Sequence, residues 1–332
     1  MKELDRPAAE TSNEGHFPSL AGATGWLNSP PLDPAGLRGR VVVVDFCTYT
    51  CINWLRTLAY VRAWEERYRH HGLVLIGVHT PEFSFEHDVD NVREALASMR
   101  VGYPIALDND YGVWDAFANR YWPALYFIDA GGRIRHHRFG EGDEERSERV
   151  IQELLAETGA TDVGTDLVAV APTGPEVAAD WDELGSSETY LGSERSQGFA
   201  SPSGITPERS HRYTGPDRLP LNRWSLTGDW TAHADRVSLD EPGGRIDFAF
   251  HARDVHLVMG PRDPGTTVAF RVTIDGEHPA EASGADVDAD GAGSLVQQRM
   301  YQLVRQTAPI RDRVFSIRFE GRGAEAFAFT FG

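Results

Sequence analysis

Apolar residues in the first half of the chain form short unbroken runs that alternate with helix-spaced repeats. The four valines at 41–44 are β-branched, which is typical of a strand that a sheet buries on both faces. Leu55, Leu58, Val61 and Trp64 then recur at helical spacing. The pattern predicts strands at 41–46, 73–80, 105–107, 125–129 and 134–139, and helices at 52–71, 88–99, 113–119 and 144–157. This alternation predicts an α/β domain.

The second half of the chain shows strand patterns without convincing helices. Apolar and polar residues alternate in Arg245-Ile-Asp-Phe-Ala-Phe250 and again at 315–319. Strands are predicted at 224–232, 236–239, 245–252, 255–259, 268–274, 300–304, 314–319 and 326–331. Many short strands separated by turn residues predict an all-β sandwich with antiparallel strands.

Two stretches of low hydrophobicity mark off the predicted domains. Residues 159–184 consist mainly of Gly, Pro, Ala, Thr and acidic side chains, as in a linker. Residues 1–17 are polar, which predicts a flexible N-terminal extension. The sequence therefore predicts the α/β domain over 18–158 and the β-sandwich over 185–332.

Composition and charge narrow the range of partners. A length of 332 residues suits two domains of ordinary size. The net charge of −18 argues against nucleic acid or an anionic membrane surface as a partner. The first residues lack the apolar core of a signal peptide, and no stretch approaches the length of a membrane span. We expect a cytoplasmic location, where thiols are kept mostly reduced.

The candidate chemistry lies where the valine strand meets the first helix. Cys47 and Cys51 are the only cysteines, and both lie in this segment. A cysteine at a helix start faces unpaired N–H groups and the positive end of the helix dipole, which favour the nucleophilic thiolate. This predicts a redox site at Cys51. The alternative is that both residues are buried and act as small hydrophobic side chains.

The segment around the cysteines resembles the thioredoxin fold, specifically its TlpA/DipZ-like branch. That family reads Asp-Phe-Trp-x-x-x-Cys-x-x-Cys, and Asp45, Phe46 and Cys51 match its Asp, its Phe and its first cysteine. Cys47 stands where the family usually has Trp, and Trp54 stands where it has the second cysteine. The resemblance continues through residues 72–83, 103–110, 121–129 and 132–140, so it covers about the first half of the chain.

The resemblance implies further site residues. Asp45 matches a buried carboxylate that exchanges a proton with the second cysteine, and a capped structural Asp is the alternative. Pro123 matches a cis-proline opposite the nucleophile. Trp122 would then offer its backbone to an extended substrate, with Tyr49 and Trp54 as neighbouring aromatic surface. Relatives of the DipZ type carry a carbohydrate-binding-module-like sandwich, which implies a carbohydrate or protein ligand, or else a purely structural domain.

Three functions remain open at this point. The first is thiol–disulfide exchange on a protein or small-thiol substrate, in which Cys51 attacks and Cys47 or an external thiol resolves. The second is a one-cysteine, peroxiredoxin-like thiol peroxidase, because Thr48 lies three residues before Cys51; Arg56 or Arg120 would assist it. The third is a redox-inactive, degenerate thioredoxin fold that binds partners. None of the three calls for a cofactor or a metal at this site.

One acidic turn in the second half invites a metal hypothesis. Asp286, Asp288 and Asp290 alternate before Gly291, as at the start of a calcium loop. Gln297 stands where the bidentate Glu belongs. The sequence therefore favours a solvated acidic turn and leaves calcium binding open.

Overall fold

The computed structural model describes residues 15–332, which form two compact units, one ending at Glu176 and the other spanning Val177–Gly332. Of the predicted N-terminal extension, residues 1–14 lie outside the described part of the chain. Phe17 is buried, and its backbone N–H donates to the Gly132 carbonyl oxygen at 2.9 Å. The predicted domain boundaries stay a prediction.

The first unit is built around a mixed six-stranded sheet with the order β1-β4-β3-β2-β5-β6. Its strands are β1 (Gly25–Leu27), β2 (Val41–Cys47), β3 (Leu73–His79), β4 (Ile105–Leu107), β5 (Ala124–Ile128) and β6 (Ile134–Phe139). Strands β2, β3 and β4 are parallel, whereas β1, β5 and β6 pair antiparallel with their neighbours. The α-helices are α1 (Ile52–Tyr68), α2 (Val89–Ser98), α3 (Gly112–Ala116) and α4 (Glu144–Glu157). This confirms the predicted thioredoxin-like α/β domain.

Strand β2 is buried along its whole length, as its valines predict. Because successive side chains of a strand point to opposite faces, Val44 and Phe46 join the apolar core on one side of the sheet. Asp45 and Cys47 face the other side, where helix α1 contributes the buried Trp54. The polar and thiol groups of β2 therefore lie under the first turn of α1.

Helix α1 ends where a residue must adopt a left-handed conformation. A short 3-10 helix, Arg69–His71, replaces its predicted last turn, and Gly72 follows with φ 103°. Glycine is the residue that tolerates this conformation without strain. The chain then enters β3 directly, which runs parallel to β2. The carboxyl ends of both strands thus lie at the same edge of the sheet, beside the start of α1.

The first part of the predicted linker packs on the first unit. Gln152 donates to the Asp166 carbonyl oxygen at 3.0 Å, and the Val168 N–H donates to the Glu148 carboxylate at 2.9 Å. Arg62 and Glu176 form an ion pair at 2.8 Å. These hydrogen bonds and the ion pair join the segment to helices α1 and α4.

The second unit is a large curled antiparallel sheet, which agrees with the predicted β-sandwich. Its strands are β7 (Thr189–Tyr190), β8 (Ser210–Tyr213), β9 (Arg223–Ala232), β10 (Val237–Leu239), β11 (Arg245–Phe250), β12 (Asp254–Pro261), β13 (Val268–Ile274), β14 (Ala292–Leu295), β15 (Arg299–Arg305), β16 (Arg313–Phe319) and β17 (Ala324–Phe331). Its core is rich in aromatic side chains, among them Trp224, Trp230 and Phe248. The sequence missed β7, β8 and β14, which are short and carry little apolar alternation.

Candidate active site

Cys51 lies at the first turn of helix α1. It is the N-cap residue, with φ −74° and ψ 115°, and its carbonyl oxygen accepts from the Leu55 N–H at 3.0 Å. Its own N–H donates to the Thr48 carbonyl oxygen at 3.1 Å, which closes a tight turn between β2 and α1. The residue is partly exposed. The thiol therefore lies at the end of the helix where backbone N–H groups and the dipole favour negative charge.

The predicted proline lies opposite this cysteine. The Trp122–Pro123 peptide bond is cis. The Cys51 thiol donates to the Trp122 carbonyl oxygen, with Sγ and O 3.8 Å apart. The Trp122 ring packs on Trp114 at a centroid distance of 4.4 Å. The fold thus brings together two segments that are 71 residues apart in the sequence.

Cys47 has a different environment. Its side chain is fully buried, and its thiol donates to the Val78 carbonyl oxygen, with Sγ and O 3.5 Å apart. Both cysteines are present as thiols. Burial raises the pKa of the Cys47 thiol well above its usual range, and the nearby Asp45 and Cys51 raise it further. A buried thiol with a raised pKa is a poor nucleophile.

Asp45 is fully buried beneath the first turn of α1. Its Oδ2 accepts from the Trp54 indole N–H at 2.9 Å, while Oδ1 has no hydrogen-bond partner within residues 15–332. Burial raises the pKa of this carboxyl group to about 7, and the Trp54 hydrogen bond acts in the opposite direction. The hydrogen-bond partner of this carboxyl group is thus the indole of Trp54, which stands where the family that the chain resembles has its second cysteine.

The expected aromatic surface does not include Tyr49 or Trp54, which corrects that part of the sequence interpretation. Tyr49 is only 2% exposed because it stacks on His79 at 5.6 Å and meets the edge of Phe85 at 6.1 Å. Trp54 is fully buried, because its indole reaches inward to Asp45. Trp122 is partly exposed and keeps the predicted place beside Cys51.

Two buried residues at this end of the sheet were missed by sequence reasoning. His79 closes β3, and burial lowers the pKa of its imidazole to about 3, so the ring stays neutral. Glu86 lies in the 3-10 helix Ser84–His87 and accepts a hydrogen bond from the Thr50 hydroxyl at 2.5 Å. Glu86 has no signal in the sequence, because the stretch from Glu82 to Asp90 has the composition of a solvated acidic loop.

The two arginines considered for peroxide chemistry have other surroundings. Arg56 is buried and forms an ion pair with Glu141 at 2.9 Å. Arg120 is exposed. The guanidinium of Arg56 is therefore bound to a carboxylate of its own unit.

The acidic turn of the second unit uses its carboxylates internally. Asp286 accepts from Arg299 at 2.6 Å and from the Gln302 N–H at 2.8 Å. Asp288 accepts from the Asp290 and Ala292 N–H groups at 3.0 and 2.8 Å. In the described part of the chain, no group of three His, Cys, Asp or Glu side chains has an arrangement that could hold a metal ion.

Comparisons with known proteins agree with the thioredoxin-like fold. The family described as "Thioredoxin like C-terminal domain" matches residues 186–332. Protein DipZ of Mycobacterium bovis is 38% identical over 98% of this chain, and the chain spans 44% of the length of that protein. Thiol-disulfide oxidoreductase YkuV of Bacillus subtilis is 28% identical over 43% of this chain and 95% of its own length. A solved thioredoxin-like protein in the oxidised form is 28% identical, with a TM-score of 0.40, over 43% of this chain and 96% of that chain.

The sheet topology and the sequence matches define a thioredoxin-fold redoxin followed by a thioredoxin-like C-terminal domain with a β-sandwich architecture. Within this class, the chain is a homologue of DipZ, which it matches over nearly its whole length. No helix within residues 15–332 has both the length and the apolar composition that crossing a bilayer requires.

Proposed function

We propose that this protein is a thiol–disulfide oxidoreductase in which Cys51 is the nucleophile and an external thiol completes the cycle. The observation that carries the proposal is the contrast between the two cysteines. Cys51 is partly exposed at a helix start, with Sγ 3.8 Å from the Trp122 carbonyl oxygen, whereas Cys47 is sealed in the core. Only the first thiol is placed to meet a substrate disulfide.

The proposed cycle has two exchange steps. The Cys51 thiolate attacks one sulfur of a substrate disulfide, the S–S bond breaks, and the other sulfur leaves as a thiolate that takes a proton from water. An external thiolate then attacks the substrate sulfur of the mixed disulfide, forms a new disulfide with it and releases Cys51 as a thiolate. Because the incoming thiol supplies the electrons, the cycle needs no bound cofactor. In this cycle Trp122 and Pro123 form the wall along which the substrate chain lies.

The similarity to YkuV, a thiol-disulfide oxidoreductase that aligns over 95% of its length, supports the same reaction class for the first unit. Arg56 gives the thiol peroxidase alternative no support, since its guanidinium is ion-paired with Glu141. The redox-inactive alternative is supported by Trp54, which occupies the position of the second family cysteine. The experiment below distinguishes this alternative from the proposed function.

The test is mass spectrometry of the reduced protein after one equivalent of oxidised glutathione. We expect one glutathione adduct on the wild type and on Cys47→Ser, reversed by reduced glutathione, and none on Cys51→Ser. An internal disulfide in the wild type that is lost in Cys47→Ser would show that Cys47 resolves, against the proposed cycle. A wild type that does not react would favour the redox-inactive alternative.

A further inference from the structure

The residues that lead into Cys51 are buried, although the cysteine itself is partly exposed. Thr48, Tyr49 and Thr50 are 0%, 2% and 2% exposed. They connect the end of β2 to the start of α1, and the hydrogen bond from the Cys51 N–H to the Thr48 carbonyl oxygen closes their turn. The position of the Cys51 thiol therefore depends on the buried contacts that these three side chains make.

Glu86 is the acidic residue that contacts this turn. Its side chain is fully buried, and its Oε1 accepts from the Thr50 hydroxyl at 2.5 Å. Its Oε2 accepts from the backbone N–H groups of Glu82 and Phe83 at 2.6 and 2.9 Å. One carboxylate oxygen thus fixes the 82–86 segment, and the other ties that segment to the residue directly before Cys51.

A second contact joins the same two segments. The Tyr49 ring meets Phe85 edge-on at 6.1 Å and stacks on His79 at 5.6 Å. Glu86 therefore contacts Thr50 through a hydrogen bond, and Phe85 contacts the neighbouring Tyr49 through ring packing. Burying a carboxyl group costs free energy, which its hydrogen bonds must offset. If this contact served stability alone, apolar side chains of similar size would stabilise the turn as well.

We propose that Glu86 is a positioning residue for Cys51: by holding the Thr50 hydroxyl, it fixes the turn so that the Cys51 thiol stays at the helix start and beside the Trp122 carbonyl oxygen. This inference rests on the proposed function, because it takes Cys51 as the nucleophile. Thiol–disulfide exchange requires a defined approach to the disulfide, and a displacement of about 1 Å can slow such an oriented reaction by up to about 100-fold.

The test compares Thr50→Val, Thr50→Ser, Glu86→Gln and the double variant Thr50→Val/Glu86→Gln, all in a Cys47→Ser background. Two quantities are measured on folded protein: the rate constant for exchange with oxidised glutathione, and the midpoint pH of Cys51 alkylation by iodoacetamide. Thr57→Val is the matched control, because the buried Thr57 hydroxyl donates to the Trp54 carbonyl oxygen at 2.8 Å within the same helix.

We expect Thr50→Val and Glu86→Gln each to slow exchange by about tenfold or more and to move the alkylation midpoint to higher pH, since the thiolate loses its place at the helix start. The double variant should be no slower than the slower single variant, because each single variant already breaks the hydrogen bond from Thr50 to Glu86. Val lacks the hydroxyl, and the single acceptor oxygen of Gln is needed by the Glu82 and Phe83 N–H groups. Thr50→Ser keeps the hydroxyl and should exchange at the Cys47→Ser rate. Thr57→Val should lower stability and leave both rate and midpoint unchanged.

Unchanged exchange and an unchanged midpoint in folded Thr50→Val would overturn the inference, as would effects of the two single variants that simply add. If Glu86→Gln does not fold, the comparison of Thr50→Val with Thr50→Ser decides alone. The failure of the proposed function looks different: in that case the Cys47→Ser parent itself does not exchange with oxidised glutathione.

Discussion

The indole N–H of Trp54 donates to the Asp45 carboxylate across 2.9 Å, in a site where both side chains are fully buried. In the family that the chain resembles, a cysteine stands at position 54 and exchanges a proton with this carboxylate. The indole N–H does not ionise near neutral pH, so it can donate a hydrogen bond to the carboxylate but cannot transfer its proton. In this chain the pair therefore forms a fixed hydrogen bond and does not exchange a proton. Because position 54 is Trp, Cys51 also has no second thiol one helical turn away.

The stability of the first unit should fall as pH rises from about 4 to about 7 because of Asp45. Its carboxyl pKa is about 7 in the folded protein against 3.8 ordinarily, so in this window the folded state holds a proton that the unfolded state has lost. One such group lowers the free energy of unfolding by up to about 1.4 kcal/mol per pH unit. Above pH 7 both states are ionised, and the contribution becomes constant.

The measurement is denaturant unfolding at pH 5, 6, 7 and 8, read as the difference between wild type and Asp45→Asn, which cannot ionise. Trp54→Phe is a second probe, because losing the indole donor should raise the pKa of Asp45 further and extend the window to higher pH. A difference between wild type and Asp45→Asn that does not change with pH would contradict the raised pKa.

Trp54→Cys should convert the site to a dithiol. Residues 51 and 54 are three apart at a helix start and share one face, which brings their side chains together. We expect one equivalent of oxidised glutathione to produce an internal disulfide in Trp54→Cys in place of the glutathione adduct. Loss of the buried indole should cost about 3–5 kcal/mol of stability, so Trp54→Ala, with a similar cavity and no thiol, is the control. A lasting glutathione adduct on Trp54→Cys would argue against this geometry.

Cys51 should be more acidic than an ordinary thiol because of its N-cap position. In a Cys47→Ser background, the pH dependence of alkylation should show a midpoint below about 8.5, the value of a free cysteine. The same experiment on Cys51→Ser with Cys47 retained should show almost no alkylation of the native protein, since that thiol is buried. A Cys51 midpoint at 8.5 or higher would remove the basis for assigning it as the nucleophile.

Limited proteolysis should cut the predicted linker in its second part. Residues 165–176 are hydrogen-bonded to the helices of the first unit, whereas Trp181 is 60% exposed in a turn. Brief chymotrypsin treatment is therefore expected to cleave first after Trp181 and leave two folded fragments. Trp181→Ser should delay this cleavage. Phe139, which is 44% exposed but lies in strand β6, should be cut later, and an earlier cut there or within 165–176 would contradict the prediction.

Local patterns in the sequence were enough to predict most of the elements and their order. The valine run fixed β2, helical spacing placed α1, and period-two alternation identified most strands of the second unit, because these signals are local and follow from side-chain periodicity. It also placed Cys51 at a helix start, since that depends only on where a strand ends and a helix begins.

Which buried side chains contact one another around that cysteine became clear only from the tertiary structure. Tyr49 is an aromatic residue beside the nucleophile in the sequence, yet it turns inward because His79 and Phe85 offer a buried stacking site. Thr50 and Glu86 are 36 residues apart, and their hydrogen bond exists only because the segment after β3 folds back under the turn that leads into α1. Such contacts depend on distances between elements. Local periodicity carries no information about those distances, and so the buried contacts of Tyr49, Thr50 and Glu86 could not be predicted from it. The resemblance to a known family is what predicted Trp122 and Pro123 beside Cys51.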